Sequence, residues 1–202
     1  MLARCPSLRQ NLYWQEITTE SKIVYEAVKQ YLEGHGFNIQ AVVVDAKHGT
    51  KEVFQEMIIQ LCQYHQQQII QRYLTQHPKT MAAQELKDIA SLLTKQTNQA
   101  FSEALVAWHT KWMLVLAGRT YTVDGKHWWY THKRLRSAYR SIKTNLAYLF
   151  SYQEYPELGI PNTNSSLEGY FSKLEQLLNN HHGLTKQRRY KLIINVLNVD
   201  PP

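Results

Sequence analysis

One acidic residue, Asp45, stands where α/β proteins commonly place their functional sites. It directly follows residues 42–44, a β-branched run that predicts a strand buried on both faces. A carboxylate at the carboxyl end of such a strand lies at a sheet edge, where ligands are usually bound. In the structural alternative, Asp45 caps a short helix that begins near Lys51.

A second acid, Glu168, ends the Asn- and Ser-rich segment at residues 162–168. Asn164 or Ser165 is suited to cap the helix that starts here. Glu168 then falls in the first turn, where the helix dipole favours an acid. A capping box alone would explain why an acid stands at position 168. In the functional alternative, this helix brings a metal-binding carboxylate to the mouth of the sheet beside Asp45.

A thiol and an imidazole, at Cys62 and His65, stand three residues apart at the start of a predicted helix. Half a zinc site has this spacing, but a tetrahedral site needs about four ligands, and Cys5 is far away in sequence. A cysteine nucleophile with a histidine base is a second alternative. We favour a third, in which a small buried thiol lies beside a helix-start histidine. The pair His181-His182 is interpreted as a turn.

Basic side chains are in excess and clustered. The 202 residues include 23 Lys and Arg against 16 Asp and Glu, a formal net charge of +7, which favours a polyanionic partner. One group lies at residues 133–143 and the other at 186–191. In the alternative, each group is the solvated face of a helix. The side chains expected to contact nucleic acid are Lys133, Arg134, Arg136, Arg140, Arg188 and Arg189.

Hydrophobic periodicity predicts an α/β core in the first third of the chain. An amphipathic helix is predicted over residues 20–33, strands over 37–44 and 57–61, and a short helix over 51–56. Two strands with helices before and between them indicate a mixed sheet of the βαβ kind.

From residue 63 onward the pattern is mainly helical. The glutamines at residues 66–68 are expected on a solvated helix face. Asp124-Gly125 predicts a tight hairpin turn, because this pair tolerates the positive φ angles that such a turn needs. Further helices are predicted over residues 64–76, 81–93, 101–117, 132–150, 165–178 and 185–197.

Composition sets the outer bounds. No stretch approaches the ~18 consecutive apolar residues of a membrane span, and the first residues lack the apolar core of a secretory signal. The two cysteines cannot form a disulfide framework. We therefore expect a cytoplasmic protein with no membrane partner.

Taken together, these segments resemble the transposases of mutator-like bacterial insertion sequences, a DDE-type family. In that family a strand ends in the second catalytic Asp, and a Cys-x-x-His pair follows the next strand. An Asn-rich motif then delivers the catalytic Glu after a helical insertion. Asp45, Cys62 with His65, and Asn164 with Glu168 occur here in that order. The likeness covers nearly the whole chain.

The resemblance implies a ribonuclease H-like mixed sheet, incomplete here and interrupted by a long helical insertion. The implied divisions are a partial core at residues 1–62, the insertion at 63–150, and C-terminal core helices at 151–202. Trp128 and Trp129 are expected to pack in a core, the alternative being stacking on an unpaired or flipped base.

The implied chemistry is DNA transposition by metal-assisted phosphoryl transfer. Asp45 and Glu168 would hold Mg²⁺ or Mn²⁺, because such hard ions prefer carboxylate oxygens. Cys62, His65 and Asn164 would support the site. The implied partners are transposon-end and target DNA and, in a homo-oligomer, further copies of the chain.

The first Asp of the family's catalytic triad has no counterpart in this sequence. It should stand on a strand before Leu12, yet residues 1–11 contain no acid, and Glu16 and Glu20 do not match its position. We therefore expect a C-terminal transposase fragment that is inactive alone. The alternatives are a non-catalytic basic nucleic-acid-binding protein and a Cys–His hydrolase built around Cys62.

Overall fold

A computed structural model of the chain describes residues 1–47, 49–181 and 183–197, so His48 and His182 lie outside the described residues. Within this range the protein is mixed α/β, with three two-stranded sheets. The strands are β1 (Leu2–Cys5), β2 (Gln10–Trp14), β3 (Ala41–Val44), β4 (Ile58–Leu61), β5 (Arg119–Tyr121) and β6 (Trp128–Tyr130). The helices are α1 (Lys22–Gly34), α2 (Thr50–Val53), α3 (Gln63–Leu74), α4 (Met81–Ser91), α5 (Asn98–Ala117), α6 (Lys133–Leu149), α7 (Ser151–Glu154), α8 (Ser165–Asn180) and α9 (Lys186–Leu197).

The chain divides into two compact units. The first comprises Met1–Val42, Lys47–Ile59 and Asn164–Pro202, and the second comprises Val43–Ala46 and Gln60–Thr163. Each helix and strand predicted from periodicity is present, although several begin or end at other residues. Within the described ranges, no helix is both long enough and apolar enough to cross a membrane.

The first two strands form an antiparallel hairpin that periodicity does not reveal, with Leu2 opposite Trp14. Because side chains alternate between the faces of a strand, Tyr13 and Trp14 point in opposite directions. Trp14 and Leu2 share a core with apolar residues of α8 and α9. Tyr13 packs against Val28 and Leu32 of α1. The hairpin is therefore covered on both faces by helices of the first unit.

β3 and β4 pair with each other. The N–H of Ile58 donates to the carbonyl of Gln40 at 3.1 Å, and the N–H of Cys62 donates to that of Val44 at 2.9 Å. The bonds advance in the same direction along both strands, as they do in parallel pairing. β3 is shorter than predicted, and its residues are half-buried. The prediction of a strand buried on both faces is wrong, because every residue of β3 remains partly exposed.

In the second unit, the longest helix, α5, is followed by a small hairpin. β5 and β6 pair antiparallel, and Gly125 in the connecting turn has φ +69°, so the hairpin predicted at Asp124-Gly125 is confirmed. Trp128 and Trp129 on β6 are 46% and 39% exposed. The expectation that both pack in a core is wrong, because β6 pairs only with the three-residue strand β5.

Candidate functional site

Asp45 lies immediately beyond the last residue of β3 and is half-buried. The alternative in which Asp45 caps α2 is wrong, because the N-cap residue of that helix is Gly49, which has φ +89°. The Oδ1 atom of Asp45 instead lies 2.9 Å from Nδ1 of His65. The sequence thus places a carboxylate at the strand end, and the fold brings an imidazole against it.

The parallel pairing of β3 with β4 explains why these side chains meet. The hydrogen bond from Cys62 to the carbonyl of Val44 aligns the carboxyl ends of the two strands. Cys62 then occupies the N-cap position of α3, so His65 falls in the first turn of that helix. A spacing of three residues is nearly one helical turn, which carries the imidazole back toward the strand ends and Asp45.

Asp45, Cys62 and His65 form a cluster that could hold a metal ion. One ligand atom from each (a carboxylate oxygen, the Sγ atom and a ring nitrogen) lies within 4.8 Å of the others. Nδ1 of His65 is itself shielded from solvent. Cys62 is only 1% exposed, which argues against the Cys–His hydrolase, because a nucleophile must reach its substrate. We refer to these three residues as the Asp–Cys–His cluster.

Buried amides fix the junction between β4 and α3 on which the cluster depends. The side chains of Gln60 and Gln63 both donate to the carbonyl of Leu149, at 2.9 and 2.8 Å. Gln60 also accepts the N–H of Tyr152 at 2.9 Å, and Gln63 accepts from the side chain of Asn162 at 3.0 Å. Each amide satisfies a donor and an acceptor across the interface, as a buried polar group must.

Gln66 extends this set of amides one turn further along α3. It accepts from Asn145 at 2.8 Å and donates to Ser141 at 3.1 Å, and it is only 1% exposed. The expectation that residues 66–68 form a solvated face is therefore wrong for Gln66. Hydrophobic periodicity treats every glutamine as a surface residue and cannot detect an amide that bonds to another helix. The position of Gln60 inside an apolar run is the one sequence signal that its side chain is buried.

Glu168 lies in the first turn of α8, and Asn164 occupies the N-cap position. The N–H of Glu168 donates to the carbonyl of Asn164 at 3.2 Å. The neighbouring residue Leu167 packs against the core of the first unit, which anchors this turn. Asp45 belongs to the second unit and Glu168 to the first. The fold brings Cys62 and His65 to Asp45 within one unit.

The basic residues predicted to contact nucleic acid differ in what they offer. Lys133, Arg134 and Arg140 on α6 are exposed. The guanidinium of Arg136 lies 3.5 Å from the centre of the Tyr130 ring and donates to the carbonyl of Leu116 at 2.5 Å. Arg136 is thus engaged within the second unit, where it fastens the hairpin to α6.

On α9, Arg188 and Arg189 are both exposed, and a guanidinium nitrogen of Arg189 lies 3.8 Å from a carboxylate oxygen of Glu16. An exposed ion pair of this kind contributes little to stability, so Arg189 can exchange it for a phosphate. No protein-family model, curated protein or solved structure matches this chain.

Proposed function

We propose that this chain carries part of the catalytic core of a DDE-type transposase related to mutator-like insertion sequences. The observation that carries the proposal is the Asp–Cys–His cluster, in which a carboxylate at a strand end meets the Cys-x-x-His pair that follows the next strand. A ribonuclease H-like sheet is part of the same proposal. β3, α2 and β4 would be its βαβ segment, and α8 would be the helix that carries Glu168.

The donor set decides which ion suits the site. Carboxylate oxygens fit Mg²⁺ or Mn²⁺, whereas a thiolate and an imidazole are the donors that Zn²⁺ prefers. In this proposal Asp45 would bind the ion and Cys62 and His65 would position it, while Glu168 is the second metal-binding carboxylate that the resemblance implies. A divalent ion held there would supply activation of a water or 3′-hydroxyl and stabilisation of the leaving oxygen. The contact with His65 would restrain one oxygen of Asp45.

Exposed cations would hold the DNA. Lys133, Arg134 and Arg140 on α6, with Arg188 and Arg189 on α9, offer charges that can contact phosphates without first breaking a buried interaction. Phosphate contacts fix the position of a protein on DNA but do not read its sequence. Because Arg136 is engaged by Tyr130 and Leu116, we omit it from this set.

The test measures how tightly Mn²⁺ binds to the protein in the presence of a DNA duplex. Free Mn²⁺ is quantified from its electron paramagnetic resonance signal. We expect Asp45→Asn and Glu168→Gln each to weaken Mn²⁺ binding by about tenfold or more. The matched controls are Asp88→Asn, an exposed acid on α4, and Glu175→Gln, an exposed acid on α8 itself. Mn²⁺ binding that Asp45→Asn leaves unchanged would refute the proposal.

A second candidate function is that of a basic nucleic-acid-binding protein without catalysis. The exposed cations of α6 favour it, because they can hold phosphates whether or not a metal is bound. The same Mn²⁺ titration, with DNA affinity measured beside it by fluorescence anisotropy, separates the two functions. The binding protein alone predicts DNA affinity that is equal with and without Mn²⁺ and unchanged by Asp45→Asn, and no Mn²⁺ bound at Asp45.

A further inference from the structure

The second unit contains an open cleft that lies outside the Asp–Cys–His cluster. Its volume is about 370 Å³, and it is lined by the end of α3, the loop before α4, β6 and the start of α6. That volume falls within the range of roughly 300–1,000 Å³ typical of small-ligand sites. The cleft is therefore large enough for a nucleotide-sized group and too small for a double helix.

The charge of the cleft is positive. Lys79, Lys133 and Arg134 line it, and no Asp or Glu is found among its described lining residues. Lys133 and Arg134 also begin α6, where the helix dipole is positive and disfavours cations. An anion in the cleft would offset both the mutual repulsion of these side chains and their unfavourable position at the helix start.

Aromatic surface is exposed in the same cleft. Trp129 and Tyr73 both line it, and both are more than one-third exposed. The Nζ atom of Lys133 lies 5.7 Å from the centre of the Trp129 ring. A partly exposed aromatic ring and a cation thus lie side by side in the cleft, the combination by which proteins stack a base and hold a phosphate of single-stranded nucleic acid.

We propose that this cleft binds a single-stranded segment of nucleic acid, with one base stacked on Trp129 and the adjacent phosphates on Lys79, Lys133 and Arg134. A duplex covers both faces of each internal base, so only an unpaired base can offer its face to an indole. The inference rests on the proposed function in DNA processing and names the form of substrate that this unit would take.

The neighbouring tryptophan provides a matched control. Trp128 is on the same strand and has similar exposure, but it is not among the residues that line the cleft. The guanidinium of Arg119 lies 4.0 Å from the centre of its ring, and the Tyr130 ring lies 5.2 Å away. Replacing Trp128 therefore removes an exposed indole from the same strand without removing a residue that lines the cleft.

The experiment measures binding of a fluorescent dT oligonucleotide by anisotropy to the full chain, beside a blunt duplex of equal length. We expect Trp129→Ala to weaken binding of the oligonucleotide by about tenfold, with Trp128→Ala within about twofold of the parent. Lys133→Ala should also weaken it, more than Lys126→Ala in the exposed turn. Duplex affinity should change little with Trp129→Ala.

Equal losses from the two tryptophan variants would overturn the assignment, as would no loss from Trp129→Ala in a variant with the parent's circular dichroism. The assignment would also be overturned if Trp129→Ala weakened binding of the duplex and of the single strand equally. The metal titration fails or succeeds independently. If Asp45→Asn leaves Mn²⁺ binding unchanged while Trp129→Ala selectively loses the oligonucleotide, the cleft stands and the transposase proposal falls.

Discussion

In the proposed function, the contact between His65 and Asp45 would give the imidazole a positioning role. Nδ1 of His65 lies 2.9 Å from one carboxylate oxygen, so the ring limits how far Asp45 can rotate. A carboxylate that is held in this way loses less freedom when it binds an ion. Groups that orient metal ligands commonly matter nearly as much as the ligands themselves.

We predict that His65→Ala weakens Mn²⁺ binding by about 10- to 100-fold, less than the loss caused by Asp45→Ala. His65→Asn should recover part of the loss, because an amide N–H can also reach a carboxylate. The measurement is the same paramagnetic resonance titration. If His65→Ala binds Mn²⁺ as tightly as the parent, the imidazole has no positioning role.

Cys62 and His65 also raise the question of zinc. A structural zinc site takes about four ligands, and the cluster offers three donors among the described residues. We predict that the purified protein contains well below one zinc per chain by elemental analysis. Cys62→Ser should leave that content unchanged. A stoichiometric content that disappears in Cys62→Ser would show that zinc, and not Mg²⁺, is the resident ion.

At the scale of elements, the turn between β3 and α2 depends on Gly49. Its φ of +89° is rare for any residue with a side chain, and an added Cβ would lie 2.9 Å from Cβ of Lys22. The turn follows Asp45 by a few residues, so its shape influences how the chain leaves the cluster. Both the backbone angle and the close approach require glycine here.

We predict that Gly49→Ala lowers the free energy of unfolding by about 1–2 kcal/mol from backbone strain alone, and further through the contact with Lys22. Gly36→Ala is the matched control, since Gly36 has φ +82° but nothing within 4 Å of an added Cβ. Urea unfolding measures both variants. Equal losses would mean that the contact with Lys22 relaxes at no cost.

Sequence periodicity could predict the helices, the β3–α2–β4 segment and the β5–β6 hairpin, because each has a local signal. It could not predict the first hairpin, because its two short strands pair around an irregularity between Ala3 and Arg4, and Leu2 and Trp14 are buried against helices far along the chain. It also could not predict the role of Gln66, because hydropathy alone does not report a hydrogen bond to Asn145. The Cys-x-x-His spacing suggested that Cys62 and His65 work together.

At the scale of the whole molecule, the net charge of +7 should make nucleic-acid binding strongly dependent on salt. Each phosphate contact releases counterions and adds about 0.9 to the slope of log affinity against log salt. We predict that replacing Arg134 and Arg140 together by Ala lowers this slope by nearly 2 on duplex DNA.

Arg136→Met is the control for that prediction. Arg136 is engaged by Tyr130 and Leu116, so its loss should lower stability and leave the slope unchanged in protein that remains folded. The measurement is fluorescence anisotropy at several salt concentrations. A slope that falls as much in Arg136→Met as in the double variant would return Arg136 to the DNA-contacting set.

The last prediction concerns catalysis by this chain. Two-metal phosphoryl transfer depends on charge compensation between closely spaced cations and the acids that hold them. In the proposed function Asp45 and Glu168 would supply two carboxylates, and no acid occurs in residues 1–15. The next acids along the chain are engaged elsewhere. Glu16 lies beside Arg189, and Glu20 pairs with Lys47 and accepts a hydrogen bond from the hydroxyl of Tyr25. A misplacement of about 1 Å can cost around a hundredfold in rate, and a lost ligand should cost more.

We therefore expect no detectable cleavage or strand transfer when the purified chain is incubated with DNA and Mg²⁺ or Mn²⁺. The assay follows supercoiled plasmid and labelled duplex, with Asp45→Ala beside the parent. Cleavage that is present in the parent and absent in Asp45→Ala would contradict the prediction. Glu16→Gln and Glu20→Gln would then identify which acid completes the site, because only the acid that binds the ion should abolish the activity.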